Sequence, residues 1–356
     1  MSIMTVLGPI NAAQAGVTLM HEHLLIDVSY KWQPPTEVTL RALAEQPITL
    51  ANLGYLRRNI TAVKANLRLD DVDTAAAEAV AFKMEGGGTI VDVSSVGIGR
   101  DPRALRAIAM QAGINVVTCT GYYLQRSHPP VVAAASVEQL ADQMIAEIQQ
   151  GIGGSGILPG IIGEIGLGEP MYVPGHTGDE MHRDEEKVLR AAGRAQVATG
   201  LPITLHIYNY RPNRLAHLAL DVLEQEGVKL ERVVVGHLDN RIDVEYAASV
   251  MDRGAYAEFD TFGIEASLDA TLSEYPRDSD RIAALVELIS RGHVEQLLVS
   301  HDVCTKMQLV AYGGWGYGHL SRHIEPRLRK AGVSDDQLKT IRIRNPRRLL
   351  DVCSPA

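Results

Sequence analysis

Six side chains able to hold a metal ion fall at the ends of short apolar runs. His21 and His23 close GVTLMHEH, Glu164 lies in GIIGEIG, His206 in LPITLHI, His237 in RVVVGHL, and Asp302 ends QLLVSHD. A single His or Asp at the end of a strand is more often a hydrogen-bonded core or capping residue than a ligand. Their recurrence at one depth of successive runs is what singles them out. His21 and His23 are two apart, so on a strand they share a side and can grip one ion, while Glu22 points away. Four histidines and two carboxylates exceed the roughly four ligands of one tetrahedral zinc. Two divalent ions about 3.5–4 Å apart, bridged by a carboxylate and a hydroxide, would use all six. The chemistry implied is hydrolysis: such a pair lowers the pKa of the shared water and polarises the oxygen of the bound substrate. Zn2+ is the first choice of metal, and Mn2+, Co2+ or Fe2+ also suit such donors, because affinity order and supply decide more than ligand type. Asp302 takes a second, catalytic assignment: it accepts the proton of the attacking water and passes it on.

These donors need elements that bring them to one place. The five runs named belong to a set of eight, completed by GTIVDVSS, GINVVTCTGY and GAYAEFD, each bounded by Gly or Pro or by a charged turn. Helix-like stretches lie between them, among them 136–150, 183–200, 214–227 and 280–292, with apolar residues three and four apart. Strict alternation of β and α means parallel strands with crossover helices, and eight units fit a closed barrel better than an open sheet. The expectation is an α/β fold, a (β/α)8 TIM barrel of metallo-dependent hydrolase type, forming a single domain over 1–356. Long loops follow strand 1 (24–87, with three helices expected) and strand 7 (261–280). Loops after strand C-termini wall the active site in such barrels.

Composition narrows the partners. The chain has 34 Lys+Arg against 43 Asp+Glu, a net charge of −9, with no basic block, which argues against nucleic acid or an anionic membrane. A small-molecule substrate remains. Cys119, Cys304 and Cys353 are widely spaced with no CxxC pair, so no disulfide framework or zinc ribbon is indicated. No run approaches the ~18 apolar residues of a membrane span, and the Ala-rich stretch near residue 12 lacks a preceding basic region. A reducing, cytoplasmic location is expected.

The chain resembles the phosphotriesterase family of the amidohydrolase superfamily, and within it the phosphotriesterase-related branch. The resemblance runs from LMHEHL through GGGTIVDVSSVGIGRD, TGYY, GIIGEIG, GHLD and SHDVCTK to YGGWGY and NPRRLLD. It implies that His21, His23 and Asp302 hold the more buried ion and His206 and His237 the more exposed one, with a strand-4 residue bridging them. Organophosphate-degrading members bridge with a carbamylated lysine, yet no lysine lies between Lys83 and Lys187. Glu164 is the carboxylate available instead, and it needs no CO2 to form. Tyr123 matches a tyrosine that points at metals and substrate in lactonase members, with Tyr122 as the register alternative. Those lactonases carry an arginine after strand 7 where this chain has Thr261, which weakens an acyl-lactone assignment. Trp32, Tyr208, Arg211, Arg277, Lys306, Trp315 and Tyr317 are further substrate candidates from the loops, and Tyr210 and Arg281 stand near them in sequence. The implied substrate is a small carboxylic ester, lactone or amide. Organophosphate triester hydrolysis is the first alternative and a non-catalytic small-molecule-binding protein the second. The resemblance also implies a homodimer.

Overall fold

The computed structural model describes residues 2–168, 181–209, 214–269 and 273–352. All eight apolar runs form strands of one parallel barrel: β1 Val17–Glu22, β2 Gly87–Asp92, β3 Asn115–Val117 continued by Cys119–Thr120, β4 Ile161–Leu167, β5 Ile203–Ile207, β6 Val233–Val235, β7 Tyr256–Phe259 and β8 Leu297–Val299. Hydrogen-bonded neighbours follow chain order from β1 to β3 and from β3 to β8. The Val- and Ile-rich composition of these runs suits strands buried on both faces.

Helices follow the strands as the periodicity predicts. They are α1 Val72–Met84, α2 Pro102–Ala112, α3 Val137–Gln150, α4 Arg183–Thr199, α5 Leu215–Gln225, α6 Val244–Asp252 and α7 Asp278–Ser290. Their starts are written locally. Asp101 accepts from the backbone N–H groups of Arg103 and Ala104 with Pro102 in the first turn, and Ser136 and Gln139 form a capping box. Among the described residues, no helix is long and apolar enough to cross a membrane.

Two cores hold the layers together. Leu19, Ile90, Val116, Leu205 and Val235 pack outward against helix residues such as Phe82, Ile108 and Leu220. Met20, Val91, Val117, Ile161, Val234 and Leu298 pack together in a second, smaller core. Ile3 joins that second core from an N-terminal hairpin, Ser2–Thr5 with Gly8–Asn11, whose following residue Val6 bonds to Val116 O.

The seam between β8 and β1 closes through side chains. The Glu22 carboxylate accepts from Ser300 Oγ (2.8 Å), His301 N (2.9 Å), His301 Nδ1 (2.7 Å) and Val303 N (3.0 Å). Ser300 Oγ in turn accepts from His21 N. Glu22 does point away from the site, as its place between the two histidines predicts, and His301 is structural: its Nε2 accepts from Leu320 N.

Three strands carry an extra residue: β2 does near its start, where Val17 pairs with Gly87 and Thr18 with Thr89, and β1 and β4 do beside the site. Leu19 pairs with Ile90 and Glu22 with Asp92, so three steps of β1 span two of β2. Ile203 pairs with Ile162 and Leu205 with Ile165, so β4 gains one residue against β5. Such bulges re-aim side chains beside active sites. Those in β1 and β4 fall where His21 and Glu164 stand.

The segment between β1 and β2 ends with the first barrel helix, Val72–Met84. Before it the chain forms 3-10 turns, one short helix, Leu50–Leu56, and a two-residue pairing of Ile26–Asp27 with Arg68–Leu69. The excursion after β7 ends where α7 begins, at Asp278.

Glu22→Gln replaces an oxygen that accepts with an NH2 that cannot. We expect it to lower the stability of the metal-free protein by about 2–4 kcal/mol in denaturant unfolding; a change under about 0.5 kcal/mol would contradict the role of Glu22 in closing the barrel.

Candidate metal centre

The six sequence-selected donors converge. Glu164 Oε2 lies 3.3 Å from His21 Nε2, 3.0 Å from His206 Nδ1 and 3.6 Å from His237 Nε2, while Oε1 lies 3.4 Å from His23 Nε2. Asp302 Oδ1 is 3.2 Å from His23 Nε2 and 4.0 Å from His21 Nε2. Ligand atoms of His21, His23 and Asp302 fall within 4.8 Å of one another, as do those of His21, Glu164 and His237. The first trio is the set that the resemblance gives to the more buried ion.

Backbone shape brings them there at some cost. Among the described residues, His237 (φ 58°) and Asp302 (φ 49°) are the only non-glycines in the left-handed region, a conformation that side chains disfavour and that gathers at functional sites. Gly163, just before Glu164, has φ 105°, and a Cβ there would stand 2.2 Å from Thr204 O. A Cβ at Gly166 would meet Leu124 N at 2.3 Å. Glycine at both positions lets β4 lie against its neighbours while presenting Glu164.

Hydrogen bonds fix which ring nitrogens face inward. Ser94 Oγ donates its one proton to Leu25 O (2.7 Å) and therefore accepts from His23 Nδ1 (2.9 Å). That leaves the lone pair of Nε2 in the neutral ring pointing at two carboxylates. His237 Nδ1 donates to Asp260 Oδ1 at 2.8 Å, leaving Nε2 facing His206 Nδ1 at 2.6 Å. Both ring nitrogens of His21 are buried without a hydrogen-bond partner among the described residues. Acceptors facing acceptors in a buried space require a positive charge between them. Neutral imidazoles backed by a carboxylate and a hydroxyl, with carboxylates opposite, suit divalent ions.

The electrostatics agree. Burial works against a charged ring at His237, but Asp260 and Glu164 overcome it and raise its pKa to about 10. Burial and the charge of His237 push His206 down to about 3. Burial works against ionisation of Glu164 as well, and His21 and His206 nevertheless hold it well below the usual carboxylate range. Negative charge dominates the donor set, and protons there occupy the place of a cation.

A pocket opens over these donors. Ile26, Val28 and Leu67 from the first excursion form an apolar wall, and Tyr123, Tyr208 and Tyr275 add aromatic surface. Tyr123 Oη is 3.2 Å from His206 Nδ1 and accepts from Lys31 Nζ at 3.2 Å.

Of the other substrate candidates, only Tyr208 joins that wall among the described residues. Tyr122 turns the other way, its hydroxyl donating to Gln143 Oε1 on α3, so the register choice falls to Tyr123. Trp32 Nε1 donates to Ala62 O, and Lys306 pairs with Asp70 at 3.2 Å. Arg277 is exposed at the start of α7. Arg281 is fully buried, bound to Asp239, Thr261 and Pro276 O. Trp315 lines a different pocket, with Arg57 and Glu265. Tyr317 is buried, and its hydroxyl donates to His23 O at 2.7 Å. Trp32, Tyr122, Arg281, Lys306 and Tyr317 are held off the site by partners that loop position in the sequence does not reveal. Tyr210 and Arg211 lie outside the described residues.

Sequence reasoning passed over Ser94, Asp260, Glu258 and Lys31. Asp260 carried a signal, since it ends the seventh run at the depth of the six donors. Ser94 and Lys31 carried none.

Left-handed φ at Asp302 reverses the usual order of small residues. In metal-free protein Asp302→Gly should be more stable than Asp302→Ala by about 1 kcal/mol, measured by denaturant unfolding; the reverse order would mean that the backbone there is unstrained.

Known proteins of like sequence and shape agree with this geometry. The family model described as the phosphotriesterase family matches residues 1–350. An N-acetyltaurine hydrolase from Dictyostelium discoideum is 34% identical, with 98% of each chain covered. A solved resiniferatoxin-binding protein from Rhodobacter sphaeroides superposes with a TM-score of 0.93 at 41% identity, covering 98% of this chain and 95% of that one. A lactonase from Listeria monocytogenes superposes with a TM-score of 0.77 at 25% identity, covering 99% of each. The chain belongs to the phosphotriesterase family, whose members are binuclear metal-dependent hydrolases.

Proposed function

We propose that this hydrolase holds two divalent ions and cleaves a small carboxylic amide, with lactones and esters as the neighbouring substrate classes. The observation that carries the metal-centre reading is the contact of one buried carboxylate, Glu164, with all four inward histidines. His21, His23 and Asp302 would hold one ion, His206 and His237 the other, with Glu164 between them. The names of the Dictyostelium relative and the Listeria neighbour support a carbonyl substrate over a phosphotriester. Zn2+ is the first metal to test.

Bound ions would supply Lewis acidity for the carbonyl oxygen and acidify a water at neutral pH. The remaining steps fall to this chain's own groups. The apolar wall of Ile26, Val28 and Leu67 seats the acyl group and excludes water. Asp302 is 15% exposed and reaches the pocket, so its carboxylate takes a proton from the attacking water. As the new C–O bond forms and the C–N bond breaks, that proton passes to the leaving nitrogen, giving an amine and a carboxylic acid that releases its own proton to become the carboxylate. Tyr123, hydrogen-bonded beside His206, orients the substrate carbonyl.

Metal analysis with a screen of amides, esters, lactones and phosphotriesters tests the proposal. The expected result is about two ions per chain with turnover of amides, abolished by a chelator. Below about one ion per chain after reconstitution, with no turnover on any class, it fails. Glu164→Gln should fold normally while metal occupancy and turnover fall together; full activity would remove Glu164 from the centre. Metal loading should not depend on bicarbonate, since no carbamylated lysine is involved.

A further inference from the structure

Beneath the inward donors lies a carboxylate that the proposed chemistry does not use. Glu258 of β7 is fully buried, and neither of its carboxylate oxygens has a hydrogen-bond partner among the described residues. Its Oε2 lies 3.5 Å from His21 Nδ1, and Asp260 Oδ2 lies 3.3 Å from the same nitrogen. Glu258 lies on β7 and Asp260 just past its end, and both carboxylates face the same nitrogen of His21. Asp260 already takes the backbone N–H and Nδ1 of His237, whereas Glu258 has no other ring to serve. A buried carboxylate without a partner costs several kcal/mol and is rare in native cores.

Atoms of His21, Glu258 and Asp260 fall within 4.8 Å of one another, a spacing that suits an ion. An ion there would need His21 to bind through both nitrogens and give up its only ring proton. With Nε2 turned to Glu164 and Asp302, Nδ1 is left as the donor, and its proton points at Glu258 and Asp260. Charge leads to the same place. Two divalent ions bring four positive charges into a buried space, but only two of the six donors, Glu164 and Asp302, are carboxylates. Asp260 and Glu258 double that number.

We propose that Glu258 is a positioning residue of the metal centre: with Asp260 it holds the outer edge of the His21 ring, presenting Nε2 inward, and it supplies buried negative charge that offsets the ion pair. The inference rests on the metal-centre reading. It makes Glu258 a group kept at the expense of the metal-free fold, because an apolar side chain of similar size would be better accommodated there.

The test compares the parent with Glu258→Gln and Glu258→Met, reading zinc affinity by competition with a chromophoric chelator and the thermal midpoint of the metal-free protein. Affinity should fall roughly 10–100-fold in both variants, while the metal-free midpoint of Glu258→Met equals or exceeds that of the parent. Both results are required. Affinity within about twofold of the parent, or a metal-free midpoint well below it, overturns the inference; the second outcome assigns Glu258 a packing role. Failure of the Met variant to fold counts the same way, and the Gln variant then still reports affinity. If the parent binds no zinc, the metal-centre reading falls and this inference with it; a zinc-binding parent with unaltered variants sinks Glu258 alone.

Discussion

The structure turns on one buried carboxylate ringed by imidazoles. Glu164 touches four histidines from three other strands within 3.0–3.6 Å, at almost no exposure to water. With the rings neutral, lone pairs on His23, His237 and Glu164 face one another, and a proton or a metal ion must lie between them. The surroundings do not relieve that conflict. Ser94 and Asp260 hold the rings so that the bare nitrogens point inward, and Tyr317 holds the His23 backbone. The barrel maintains on a rigid scaffold a buried concentration of donors able to hold metal ions.

Several of the barrel's departures from regularity lie at this cluster. The extra residues in β1 and β4 fall at His21 and Glu164, and the left-handed residues are His237 and Asp302. Two of the six donors, His237 and Asp302, therefore sit on locally unfavourable backbone, and regular pairing elsewhere holds them there. Glu22 contributes in the same sense. Its carboxylate binds β8 to β1 through Ser300, His301 and Val303, fixing the strand that carries His21 against the one that leads to Asp302.

Much of this was legible in the sequence. Eight apolar runs, each followed by a helical pattern, specify the barrel because strand periodicity and capping act locally. The donors were legible because strand ends recur at one depth, so a His at 21, 206 and 237 or a carboxylate at 164 and 302 stands in register. The HxH spacing led to the right convergence, although the bulge in β1 shares the work of aiming His21. The pocket walls were not legible. Tyr122, Lys306, Trp315 and Tyr317 occupy the expected loops, but their orientations depend on Gln143, Asp70, a neighbouring pocket and His23 O, contacts made across long sequence separations. Asp260 and Glu258 were hidden differently: their contacts appear only once His237 and His21 are seen from behind.

Anomalous diffraction from crystals of the zinc-loaded protein addresses the central claim most directly. The account requires two peaks about 3.5–4 Å apart, one beside His21, His23 and Asp302, the other beside His206 and His237, with Glu164 touching both. A single peak, or a pair that leaves Glu164 uncoordinated, would contradict it.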